Sequence, residues 1–93
     1  ENIQKSHAVA NGVYVVSVNR VGIEAGQKFW GKSFVANPHG RIIAEASHDQ
    51  EEVIVQEVDS EVMEYYRTLW PYLRDRRIDS YKPITKRYLD EDE

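Results

Sequence analysis

The 93-residue sequence contains no cysteine. That absence excludes disulfides, thiolate metal sites and a cysteine nucleophile contributed by these residues. It is compatible with a reducing cytosol, the expected location of this chain, without identifying one. Long apolar runs are also missing. None approaches the ~20 residues a membrane-crossing helix needs, so no membrane partner is expected, and no stretch carries the pattern of a secretory signal. An excess of cations is absent too. Twelve Lys and Arg stand against sixteen Asp and Glu, a net charge of −4, which argues against nucleic acid as the main partner. There are no internal repeats, and the only biased stretch is the acidic end at 90–93.

What is present supports one small domain. Hydrophobic residues make up 41% of the chain and aromatics 11%, enough for a single core and too little length for two. If compact, such a chain has a radius of gyration of about 12 Å. The helical pattern starts almost at once. Ile3, His7 and Ala10 share one face at i, i+4, i+7 spacing, and nothing ahead of them resembles an N-cap. A helix entered partway reads as a piece of a longer chain. Asn11-Gly12 stops it. Residues 13–18, VYVVSV, then read as a strand that is apolar on both faces and needs cover from both.

Residues 20–30 carry two glycines and mixed charges and read as a loop. Residues 32–36 and 41–46 read as strands joined by Asn37-Pro38-His39-Gly40, which has type I turn preferences. Residues 52–58, EVIVQEV, extend the meander as a further strand. Asp59 or Ser60 can cap the helix that follows, in which Val62, Tyr66, Leu69 and Leu73 form one apolar stripe. Pro71 limits or kinks that helix. Beyond Leu73 the chain is a charged, non-periodic tail that is either frayed or docked on another surface.

Chemistry is thin. His7, His39 and His48 are scattered without ligand spacing, so no metal site is expected. The glycines match neither G-x-G-x-x-G nor a P-loop, and no serine sits in a G-x-S-x-G elbow. Arg74, Arg76 and Arg77 fit an ion-paired face better than a phosphate site. The richest segment is 19–33, which leaves the end of the expected buried strand, where α/β folds place ligands. It offers Asn19, Arg20, Glu24, Phe29, Trp30 and Ser33. These suit a small polar amine-bearing molecule, with Glu24 matching a cation and Trp30 stacking on it. From spacing alone they suit better a structural set of core aromatics, an ion-paired arginine and a strand serine.

The segments YVVSVNRVGIEAGQKFWGKSFVANPHGRIIAEAS, EEVIVQEVD and LWPYLRDRRIDSY, in that order, resemble the C-terminal stretch of the nitrilase (carbon–nitrogen hydrolase) superfamily, in its N-carbamoylputrescine amidase branch. The resemblance implies an α/β fold, the C-terminal part of an αββα sandwich: helix, buried strand, loop, β-hairpin, strand, helix and extended tail. Residues 1–73 would belong to the hydrolase domain and 74–93 would be a tail reaching a neighbouring subunit of a homo-oligomer. It implies hydrolysis of an N-carbamoyl amine by a Glu-Lys-Cys triad without a cofactor. No residue of this chain matches that triad, so no catalytic residue is assigned and the chain alone is expected to be inactive. The resemblance favours the pocket reading of the 19–33 segment, with Glu24 and Trp30 as the substrate rim and Asn19 and Ser33 behind them. Alternatives are a β-ureidopropionase-like or other amidase, and a non-catalytic oligomerisation module.

Overall fold

The computed structural model describes residues 1–90. The acidic end beyond Asp90, and with it the last part of the expected tail, lies outside the described residues. The chain folds as mixed α and β structure around two small antiparallel sheets.

Helix α1 spans Asn2–Asn11, preceded by Glu1, whose side chain makes no capping bond. Gly12 closes it, its N–H donating to the Val9 carbonyl at 3.3 Å. The buried contact is Ala8, at 0% exposure, not the expected face: Ile3 is 74% exposed, and His7 and Ala10 are exposed as well. A methyl side chain lets the helix backbone approach the sheet closely. Ala8 meets Phe34 and Ala36 there, with Val15 and Ile42 packed around them.

Strand β1 spans Val15–Ser17, β4 Phe34–Ala36 and β5 Ile42–Glu45, and they pair in the order β1-β4-β5. β4 is the central strand and is buried along its length. The β4–β5 hairpin turns where Asn37-Pro38 indicated. Gly40 N–H donates to the Asn37 carbonyl at 2.8 Å, and the Asn37 side-chain oxygen accepts from the N–H groups of His39 and Arg41. β1 is covered on one face only, by α1. Val16 and Val18 are 62% and 85% exposed, so the cover its sequence asks for on the other face is not supplied by the described residues.

Two expectations are corrected. Residues 20–30 are not a loop but a two-stranded ribbon, β2 (Val21–Glu24) paired with β3 (Gln27–Trp30). Ala25 and Gly26 both take positive φ, 52° and 80°, as a two-residue hairpin turn of matching twist requires. Residues 52–58 are not a strand. They pair with nothing among the described residues, and Val53 and Val55 are 90% and 92% exposed. Alternation gives a segment the capacity to pair but names no partner, and among the described residues 52–58 does not take up the open outer edge of β1 or of β5.

Helix α2 spans Ser60–Leu69, and Asp59 caps it by accepting from Glu61 N–H at 2.9 Å. It stops before Pro71, so Leu73 lies outside it, and of the expected stripe only Val62 and Tyr66 are half-buried. Tyr66 stacks on the His39 ring, centroids 5.2 Å apart. The remaining described residues form two short 3₁₀ turns, Ile78–Ser80 and Lys82–Thr85, both exposed. The molecule is therefore open. Its radius of gyration is 18.9 Å and its extents are 57 × 39 × 14 Å, against the ~12 Å radius of a compact chain of this length.

Candidate functional site

The ribbon leaves the three-stranded sheet through Asn19 and returns through Ser33. Side chains close this neck. Asn19 N–H donates to the Ser33 hydroxyl oxygen at 2.8 Å, and that hydroxyl lies 3.2 Å from the Asn19 carbonyl to which it donates. The Asn19 amide nitrogen donates to the Gly31 carbonyl at 2.9 Å, and its oxygen accepts from Arg20 N–H. Asn19 and Ser33, 14 residues apart in sequence, are thus brought together.

Beside the neck lies a groove of about 490 Å³. Val16, Val18, Phe34 and Ile54 give it an apolar floor, while Asn19, Arg20, Ser33, Gln50, Glu51 and Glu52 supply polar groups. Glu52 is held in place by accepting from Ser47 N–H. In the sequence, Gln50, Glu51 and Glu52 form a polar run that follows the strand expected at 41–46 and leads into the segment 52–58. Nothing in their spacing announces a groove wall.

Glu24 and Trp30 do not line the groove and are not brought together. The register pairs Val21 with Trp30 and Glu24 with Gln27. Alternation along a strand then places Trp30 with Val21, Ile23 and Lys28 on one face, and Glu24 with Gln27 and Phe29 on the other. On the first face Lys28 Nζ stands 4.4 Å above the Trp30 ring, which stacks on His48 with centroids 5.7 Å apart. On the second, Arg20 forms an ion pair with Glu24 and lies 4.6 Å over the Phe29 ring. Each residue is one neighbour from the groove: Glu24 through Arg20, Trp30 through Val21, both of which line it.

Among the described residues no group of three or more His, Asp or Glu could hold a metal ion, and no helix is long and apolar enough to cross a membrane. The groove offers an apolar floor, amide and hydroxyl dipoles, and charges of both signs. That inventory has the makings of a site for a small polar molecule.

The profile of the family described as "Carbon-nitrogen hydrolase" matches residues 1–68. The chain belongs to the carbon–nitrogen hydrolase family. It is 39% identical over 90 residues to the N-carbamoylputrescine amidase of Arabidopsis thaliana, covering 88% of this chain and 30% of that protein. It is 41% identical over 76 residues to a nitrilase of Pyrococcus abyssi, covering 80% of this chain and 29% of that protein. A solved carbon–nitrogen hydrolase from Helicobacter pylori superposes with a TM-score of 0.80 at 43% identity, over 94% of this chain and 32% of that one. The chain thus spans about 30% of the length of the curated relatives it matches. The Asn19–Ser33 neck, the ribbon and the groove all fall within the part matched by the carbon–nitrogen hydrolase profile.

Proposed function

We propose that these residues form the C-terminal part of an N-carbamoylputrescine amidase, a cytoplasmic homo-oligomer that hydrolyses N-carbamoylputrescine to putrescine, carbon dioxide and ammonia in polyamine biosynthesis. The observation that carries the reading is the 39% identity to an N-carbamoylputrescine amidase across 88% of the chain. In this reading the Glu-Lys-Cys triad stands in another part of the enzyme. The thiolate attacks the carbamoyl carbon, and its base and oxyanion partner come from the same part. Residues 1–73 contribute one wall of the hydrolase domain, and the tail from 74 reaches a neighbouring subunit. Glu24 and Trp30 flank the substrate entry from opposite faces of the ribbon, Glu24 facing the distal ammonium, with Asn19 and Ser33 behind them.

A second reading rests on Arg20. Its guanidinium lines the groove and pairs with Glu24, and a cation there would suit the carboxylate of an N-carbamoyl β-amino acid, as in a β-ureidopropionase-like enzyme. One experiment separates them. In the intact hydrolase, Glu24→Gln should raise KM for N-carbamoylputrescine and leave the carbamoyl amino acid unaffected. A fall in KM for the carbamoyl amino acid, with the carboxylate that competes for Arg20 removed, would favour the second reading, and an unchanged KM for both would remove Glu24 from the rim. The purified 93-residue chain should turn over neither substrate, and turnover would overturn the placement of the nucleophile.

A further inference from the structure

We propose that Asn19 and Ser33 act as a clamp that fixes the angle of the β2–β3 ribbon against the three-stranded sheet. They are then positioning residues for the rim rather than groups that touch substrate. The clamp stands on geometry alone, while its service to a substrate rim rests on the amidase reading.

The ribbon's own strands hold each other, and beyond the neck Trp30 reaches only the exposed His48 ring among the described residues. Among the described residues β2 and β3 pack extensively only on one another. What orients them is the neck. The β1–β4 register pairs Ser17 with Phe34, so two more steps would set Val18 opposite Ser33 and then Asn19 opposite Lys32. Those steps do not occur. Gly31 and Lys32 both take positive φ, 62° and 57°, and the chain turns out of the ladder. For a lysine this left-handed conformation is unfavourable, so the surroundings must enforce it. Two backbone bonds do so from one side, Lys32 N–H to the Ser47 carbonyl at 3.2 Å and Ala46 N–H to the Ser33 carbonyl at 2.7 Å. On the other side no backbone carbonyl is left for Asn19 N–H, and the Ser33 hydroxyl accepts its bond instead. The Asn19 amide then ties the ribbon's exit, at the Gly31 carbonyl, to its entry.

Both amide atoms of Asn19 and both roles of the Ser33 hydroxyl are occupied within this neck. Each of these atoms already serves a backbone partner across the neck, which suits them to holding a backbone angle. The ribbon's other links through the neck, Gly31 N–H to the Arg20 carbonyl at 2.8 Å and the Val21–Trp30 pair, join its two strands to each other. They say nothing of its angle to the sheet.

The test is amide relaxation by NMR on the 93-residue chain, which needs no substrate and stands whether or not the amidase reading holds. In Ser33→Ala, order parameters across 21–30 should fall together, from the ~0.85 of rigid backbone toward 0.6. The cross-strand contacts Gly22–Phe29 and Ile23–Lys28 and the β1–β4 pairing should persist. Ser33→Thr keeps the hydroxyl and should restore the order. Asn19→Asp replaces the donor to Gly31 with a charged acceptor facing that carbonyl and should also lower the ribbon's order. Unchanged ribbon order in Ser33→Ala would overturn the proposal. So would collapse of the β1–β4 pairing, because the pair would then support the sheet as a whole rather than the ribbon's angle.

Discussion

Replacing Gly31 by alanine tests the neck at its tightest point. Gly31 is buried, with φ at +62°. A Cβ there would meet Val21 Cγ1 inside contact distance and would sit 3.0 Å from the Ser47 carbonyl oxygen and 3.4 Å from that of His48. Two costs add. An alanine in the left-handed region costs about 1–2 kcal/mol, and overpacking against a valine methyl and a backbone carbonyl costs about 1–3 kcal/mol more. Val21 can shift its side chain, but the Ser47 carbonyl is held by the bond from Lys32 N–H. Gly26 provides the matched control. It has φ +80° and nothing within 4 Å of the added Cβ, so Gly26→Ala carries the conformational cost alone. Urea unfolding followed by Trp fluorescence should place Gly31→Ala about 2–5 kcal/mol below the parent and Gly26→Ala only about 1–2 kcal/mol below. If the two variants lose the same stability, the close approach at the neck is not a constraint.

Removing the α2 cap by Asp59→Ala should cost about 1 kcal/mol and lower the far-UV helical signal, since the Asp59 side chain accepts from Glu61 N–H at 2.9 Å. Val53→Lys with Val55→Lys should leave the melting temperature of the chain nearly unchanged, within about 0.5 kcal/mol of stability, because both side chains are exposed. A large loss would show that they are covered in solution. Glu24→Gln should likewise shift stability of the isolated chain by less than about 1 kcal/mol, as the Arg20–Glu24 pair is mostly exposed on both sides. An effect several times larger, read by the same urea titration, would contradict a surface pair.

Local chemistry decided which elements were legible in the sequence. The β4–β5 turn and the start and stop of α2 were readable because Asn37, Pro38, Asp59 and Pro71 each act on the backbone within a few residues. The ribbon was not, because Ala25-Gly26 lacks the Asn-Gly or Asp-Gly signature of its turn and mixed charges hid the alternation. Segment 52–58 was over-read because a strand pattern does not specify a partner. At the site, the residue types of 19–33 pointed to polar recognition, but their arrangement depended on register. In a hairpin pairing residue 21 with 30, positions 24 and 30 must fall on opposite faces, and no spacing rule applied before the turn was known could have shown it. The Asn19–Ser33 contact was invisible for the same reason, since it joins two ends of a ribbon that the sequence reading did not contain.

The shortest extent of the molecule, 14 Å, also sets its electrostatics. Stacked sheets sit about 10 Å apart, so this depth holds one sheet with one helix against it. Charges on such a slab are never far from water and interact through its dielectric. Two unit charges 4 Å apart attract by about 1 kcal/mol in water and by about 4 kcal/mol at the effective dielectric of 20 near a protein surface. Glu24 on this slab would therefore draw an ammonium group only weakly, and the same carboxylate under a second layer would draw it several times more strongly. The thickness of protein above the ribbon governs how tightly a charged substrate is held there.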